Sequence, residues 1–74
     1  MPSGQIHNFQ SLVAKLSRSY SRDLIDEAIE RAIVGDPPPP VAPGPHAFLF
    51  PHLAQCVSVL AGALGPDYVH SIRT

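Results

Sequence analysis

The sequence predicts an all-α fold: a small bundle of three helices, with a short fourth helix at its C-terminal end as an option. Apolar residues recur at helical spacing on both sides of residues 36–45, and serine, glycine and proline stand where helices would begin and end. Residues 36–45 themselves contain six prolines. Because proline fixes φ and has no N–H, this Pro-rich segment is predicted to be an extended crossover between helices 2 and 3.

The part before the crossover, residues 3–34, is predicted to be a pair of amphipathic helices. Ser3 is a candidate N-cap for the first helix. The apolar positions that follow are spaced alternately by three and four residues. This spacing places them on one helical stripe, which consists of Ile6, Phe9, Val13, Leu16 and Tyr20.

The second helix has signals at both of its ends. Ser21 is a candidate N-cap, because Tyr20 and Ile25 are placed around it as a hydrophobic staple. Gly35 is a candidate for the residue that closes the helix, and Pro37 prevents its continuation. Boundary signals are good only to within about 2–4 residues. A single continuous rod over helices 1 and 2 therefore stays an open alternative.

The third helix is predicted to run from Pro51 to Leu64, because proline suits the first turn of a helix and Gly65-Pro66 would stop it. Residues 53–64 are apolar on nearly every side, which is typical of a core helix. Its small residues would let a neighbouring helix approach closely; they are Ala54, Ser58, Ala61 and Gly62.

Two further assignments concern the C-terminal half. Tyr68, Val69 and Ile72 have helical spacing, so residues 67–73 are a candidate for the short fourth helix. A strand over Val57–Leu60 is the alternative to the third helix, since short apolar runs with β-branched residues are ambiguous.

The composition fits a single helical domain over residues 1–74, near the lower size limit for independent folding. Charged residues make up 15% of the chain, against roughly 25% in typical soluble domains. The single cysteine excludes an internal disulfide and suits a reducing compartment, so a cytoplasmic location is expected. The first residues lack a basic region followed by an apolar run, so we expect no signal peptide.

Residues 47–64 reach the lower edge of the length needed to cross a membrane. However, the segment contains Pro51, His52, Gln55 and Gly62, and no lysine or arginine flanks it. We therefore expect no membrane association.

His46, His52 and Cys56 are the nearest arrangement to a metal site, because His52 and Cys56 lie four residues apart and would share a helix face. A structural zinc normally takes four ligands, and no Cys-x-x-Cys motif supports one here. The favoured interpretation is a buried, inert cysteine. A small metal-binding protein is kept as an alternative function.

The sequence predicts neither catalysis nor a cofactor. The neighbours of Cys56 are Leu53, Val57 and Leu60, and apolar surroundings raise a thiol pKa and reduce its reactivity. The acidic residues of the second helix are spaced as a solvated face, and the chain has no glycine-rich phosphate loop.

The charge pattern argues against nucleic acid as a partner. The formal net charge is −1, and the second helix carries four acidic residues that would repel phosphates. The alternative is a small transcriptional regulator that binds DNA as a dimer, in which Arg18, Arg22 and Arg73 of two copies form a joint basic surface.

The main functional prediction is a non-enzymatic protein–protein interaction or regulatory module. The first and third helices present more apolar surface than they are expected to cover between them. We therefore expect a homodimer or docking on a larger partner, by helix-in-groove or four-helix packing. The predicted interface residues are Ile6, Phe9, Val13, Leu16, Tyr20, Leu53, Val57, Leu60 and Leu64.

Overall fold

The computed structural model describes residues 2–41 and 43–73, with side chains from residue 4 onward. Within these residues the chain forms four helices and no strand: α1 (Pro2–Ser17), α2 (Arg22–Val34), α3 (Leu49–Leu64) and α4 (Pro66–Ile72). The predicted all-helical bundle is confirmed, and the fourth helix is present. Residues 57–60 lie inside α3, so the strand alternative is wrong.

α1 begins one residue before its predicted cap. The helix starts at Pro2, so Ser3 lies inside the first turn and the N-cap prediction for Ser3 is wrong. Proline is tolerated at this position because the first N–H groups of a helix have no partner within the helix.

α1 and α2 are separate helices, so the continuous rod is excluded. The chain tightens just after α1, where the N–H of Ser19 donates to the carbonyl of Leu16, three residues earlier, at 3.1 Å. Ser21 then caps α2 as predicted, because its hydroxyl accepts a hydrogen bond from the N–H of Leu24 at 3.3 Å. A serine cap of this kind stabilises a helix by about 1 kcal/mol.

Gly35 ends α2 with a left-handed backbone (φ 89°). Its N–H donates to the carbonyl of Ala32 at 3.2 Å, and the N–H of Asp36 donates to the carbonyl of Arg31 at 2.8 Å. These two bonds form a Schellman motif, which satisfies carbonyls that the helix end leaves free.

α3 begins two residues earlier than predicted. A turn over residues 45–48 leads into the helix, and the N–H of Leu49 donates to the carbonyl of His46 at 3.0 Å. Pro51 therefore lies in the first turn of α3, where its missing N–H costs no intrahelical bond. The predicted stop is confirmed: Gly65 separates α3 from Pro66, the first residue of α4.

The crossover has neither helix nor strand over residues 36–41 and 43–44, while Ala42 lies outside the described residues. Tyr20 meets this segment and also packs edge-on against Phe50, with ring centroids 5.1 Å apart. A Cβ added to Gly44 would lie 2.6 Å from the hydroxyl oxygen of Tyr20. A larger residue at position 44 would therefore displace the Tyr20 hydroxyl from its present position.

α3 is the central element of the bundle. α1, α2 and α4 each pack mainly on α3, whereas α1 and α2 contact each other little. Leu53, Val57 and Leu60 are completely buried at these contacts. Full burial of one such side chain contributes about 1.5–3 kcal/mol, so the apolar face of α3 is the main source of stability.

α4 is held by one buried side chain and a group of surface charges. Val69 is fully buried against the core. Arg73 lies 3.4 Å from a carboxylate oxygen of Glu30 and 3.7 Å from one of Asp26, and His70 lies 3.4 Å from Glu30. Exposed ion pairs contribute only about 0–1 kcal/mol each. The position of α4 therefore depends mainly on Val69.

Candidate functional site

Most of the predicted interface residues form the core of a single copy. Six of the nine are at most 1% exposed: Phe9, Val13, Leu16, Leu53, Val57 and Leu60. Ile6 and Tyr20 are partly buried and pack against the same core. Leu64 is 37% exposed. The expectation that one copy could not cover these side chains is thereby corrected, because three other helices surround the buried face of α3.

The opposite face of α3 is open to solvent and carries no charged side chain. Val59 is 45% exposed there. The exposed residues of this outer face are Pro51, His52, Gln55, Ser58, Val59, Gly62 and Ala63. A surface helix normally places charged residues toward solvent. The outer face of α3 is therefore unusual for a helix exposed to water.

A groove lies beside this face, between the C-terminal halves of α2 and α3; we call it the α2–α3 groove. One wall is residues 32–35 at the end of α2, and the other wall consists of Ser58, Ala61, Gly62 and Pro66. The groove is open, with a volume of about 350 Å³, and none of its lining residues is charged. The hydroxyl of Ser58 donates to the carbonyl of Ala32 at 3.5 Å, which links the two walls.

Val34 stands at this groove with 71% of its surface exposed. On the other wall, a Cβ added to Gly62 would meet no atom within 4 Å beyond its own helix backbone. The groove thus combines an exposed apolar side chain on one wall with open space above a glycine on the other. This combination suits the docking of an apolar side chain from another molecule.

A second, polar pocket of about 230 Å³ lies between α1 and α3, lined by Gln5, Asn8, His52, Gln55, Cys56 and Val59. The thiol of Cys56 donates to the backbone carbonyl of Gln5 at 3.3 Å. Burial raises the pKa of the Cys56 thiol. The sequence-based interpretation of Cys56 as an inert thiol fits this environment.

His52 and Cys56 border the same pocket, whereas His46 lies in the turn before α3 and does not reach it. In the parts of the chain that the structure describes, no three histidine, cysteine, aspartate or glutamate side chains are grouped so that they could hold a metal ion. Nor does any described helix combine the length and hydropathy needed to cross a membrane.

The raised thiol pKa gives a testable consequence for Cys56. We expect a disulfide reagent such as DTNB to react with the folded protein several-fold more slowly than with a free thiol, because less thiolate is present and the sulfur is buried. The rate should rise with pH and reach the free-thiol value in denaturant. A rate equal to that of glutathione in native buffer would contradict this assignment.

The raised pKa of Cys56 also makes the stability of the protein depend on pH. The folded state holds the Cys56 proton more tightly than the unfolded state. The protonated thiol therefore contributes fully to the free energy of unfolding below the ordinary cysteine pKa, about 8.5. This contribution is lost as the pH rises from that value through the raised pKa of the folded state. Cys56→Ser should remove this alkaline loss, as measured by urea unfolding at several pH values.

Two of the three arginines proposed for a DNA-binding dimer have carboxylate partners within the chain. Arg22 lies 3.4 Å from Asp26, and Arg73 lies near Asp26 and Glu30. Arg18 is exposed and in no ion pair among the described residues. Two of the three arginines are thus accompanied by carboxylates that would weaken attraction to phosphate.

Sequence reasoning noted Ser58 and Gly62 as small residues but missed Val34, Gly35 and Val59. Val34 is the last residue of α2 and lies next to the cap, so its exposure depends on how α2 meets α3. The available signal was the absence of charge in the whole of α3. Packing in the core explains the absence of charge on the buried face of α3, but not on its exposed face.

Comparison of this chain with protein families, with curated proteins and with solved structures gave no match.

Proposed function

We propose that this protein is a non-enzymatic interaction module with a regulatory role in the cytoplasm, and that it binds a helix of another protein in the α2–α3 groove. The observation that carries the proposal is the uncharged, exposed surface formed by this groove and the outer face of α3. Docking of an amphipathic helix in an apolar groove is a common mode of peptide recognition.

The energetic argument rests on apolar side chains that water now covers. Val34 and Val59 are 71% and 45% exposed, and covering such surface contributes about 25 cal/mol per Å². The groove adds a site that an apolar side chain of the partner can fill. Contacts of this kind at the centre of an interface usually supply most of the binding energy.

The state of the reactive side chains supports a binding role over a catalytic one. The pKa of the Cys56 thiol is raised by burial, which makes it a weak nucleophile. Asp26, Glu27 and Glu30 lie in ion pairs with arginine side chains. These carboxylates stabilise helices α2 and α4.

Site-specific photo-crosslinking tests the proposal. Benzoylphenylalanine in place of Val34 should form a discrete covalent adduct with a partner protein in cells, whereas the same residue in place of Lys15 on α1 should not. Gly62→Leu should abolish the adduct, because the leucine side chain would occupy the open space above residue 62 in the groove. Ala14→Leu, which adds the same bulk to an exposed position of α1, is the matched control and should leave it intact.

Two results would contradict the proposal. One is an adduct at position 34 that persists in the Gly62→Leu chain, since the crosslink would then be independent of the groove. The other is equal labelling from positions 34 and 15, which would indicate random encounter.

A further inference from the structure

We propose that the α2–α3 groove binds an amphipathic helix whose apolar side chains are flanked by lysine or arginine. This inference rests on the proposed function and names the chemistry of the partner. It follows from the lining of the groove and from the charges that surround it.

The lining determines which side chains enter the groove. Its residues carry no charge, so a charged side chain placed there would lose hydration without gaining a partner. Ser58 and Gly62 are four residues apart on the exposed side of α3, and the space above Gly62 is open. A partner helix can therefore bring its backbone close to α3 at this point and insert apolar side chains toward Val34.

Two acidic residues directly follow lining residues in the chain, and we call these two positions the rim of the groove. Asp36 directly follows Gly35, and Asp67 directly follows Pro66; both Gly35 and Pro66 line the groove. Both aspartates are exposed, and neither takes part in an ion pair within residues 2–41 and 43–73. Two carboxylates without an ion pair are thus each one residue away in the chain from the lining of an uncharged site.

The positive charges of the chain do not balance this rim. Arg31, four residues before Gly35, is paired with Glu27 at 3.3 Å. Lys15 and Arg18 have no ion pair among the described residues, but they lie near the start of α2. α2 has 13 residues and is therefore about 20 Å long. This length separates the two side chains from Gly35.

A second copy of the chain is a poorer occupant for the same reason. In a two-fold symmetric dimer the same patch of both copies meets. Asp36 and Asp67 of one copy would then lie near their equivalents, and like charges at an interface oppose binding. A basic helix of a different protein meets the rim with favourable charge and the lining with apolar side chains.

A selection experiment tests the inference. The full chain is immobilised and used to select from a displayed library of single-helix peptides with randomised faces. We expect the enriched peptides to carry apolar residues at helical spacing with lysine or arginine beside them. Their affinity should fall more than tenfold for Gly62→Leu and stay unchanged for the control Ala14→Leu.

The charge of the rim is tested separately with Asp36→Asn and Asp67→Asn. Exposed ion pairs are weak, so each substitution should weaken binding by about 1.4- to 5-fold and reduce its dependence on salt. Unfolding midpoints of both variants are measured in parallel, because Asp67 lies in the first turn of α4. A second selection against the double variant should lose the enrichment of basic residues.

The possible failures are distinguishable. Neutral or acidic peptides whose binding is abolished by Gly62→Leu would overturn the inference and leave the proposed function standing. An enrichment that Gly62→Leu does not affect would overturn both. A concentration-dependent dimer in analytical ultracentrifugation that Gly62→Leu dissociates would show a second copy in the groove, and would overturn the basic partner.

Discussion

Replacing Leu53 with alanine is expected to remove about 2–5 kcal/mol from the free energy of unfolding. Leu53 is completely buried in the half of α3 that contacts the rest of the bundle. The lost side-chain volume would leave a cavity that the surrounding helices cannot easily fill. A domain of 74 residues has a total stability of about 4–11 kcal/mol at typical values per residue. The variant should therefore lose a large share of the stability of the domain.

Chemical denaturation followed by circular dichroism measures this effect. The matched control is Val59→Ala on the same helix. Val59 is 45% exposed, so this substitution removes little buried surface. It should change the stability by no more than about 0.5 kcal/mol. Similar losses of stability for the two variants would contradict the burial of Leu53 and the exposure of Val59.

Two glycines three residues apart should respond to alanine in opposite directions. Gly62→Ala is expected to stabilise the protein by up to about 1 kcal/mol, because Gly62 lies inside α3 and alanine is the better helix former. Gly65→Ala is expected to destabilise it by about 1–3 kcal/mol, because the backbone of Gly65 (φ 94°, ψ 153°) is accessible essentially only to glycine.

Packing does not explain this difference, since a Cβ at either position meets no atom within 4 Å. Thermal and urea unfolding of the two variants therefore measure how the backbone conformation at each position affects the free energy of unfolding. If Gly65→Ala were neutral, the sharp change of direction between α3 and α4 would not depend on the backbone of residue 65.

The helix ends could be predicted from the sequence because they depend on local chemistry. Ser21 accepts a hydrogen bond from its own helix, and Gly35 adopts a conformation that other residues avoid. The start of α1 was missed because Pro2 can itself open a helix. The start of α3 was placed late because the preceding turn already has helical hydrogen bonds.

The candidate site could not be predicted in the same way. The sequence shows that α3 is apolar, but not which of its faces the other helices cover. Leu53 and Val59 have similar character in the sequence, yet one is buried and the other is exposed. The groove arises only where the end of α2 meets α3. The location of the groove therefore depends on tertiary packing, and no individual residue in the sequence reveals it.

The central position of α3 has a consequence for how the molecule opens. Each of the other helices finds its main apolar contacts on this one element. None of them can keep its native environment once α3 departs, so the bundle should melt as one cooperative unit. Slowly exchanging amide protons should accordingly cluster along α3, and their exchange should report global unfolding.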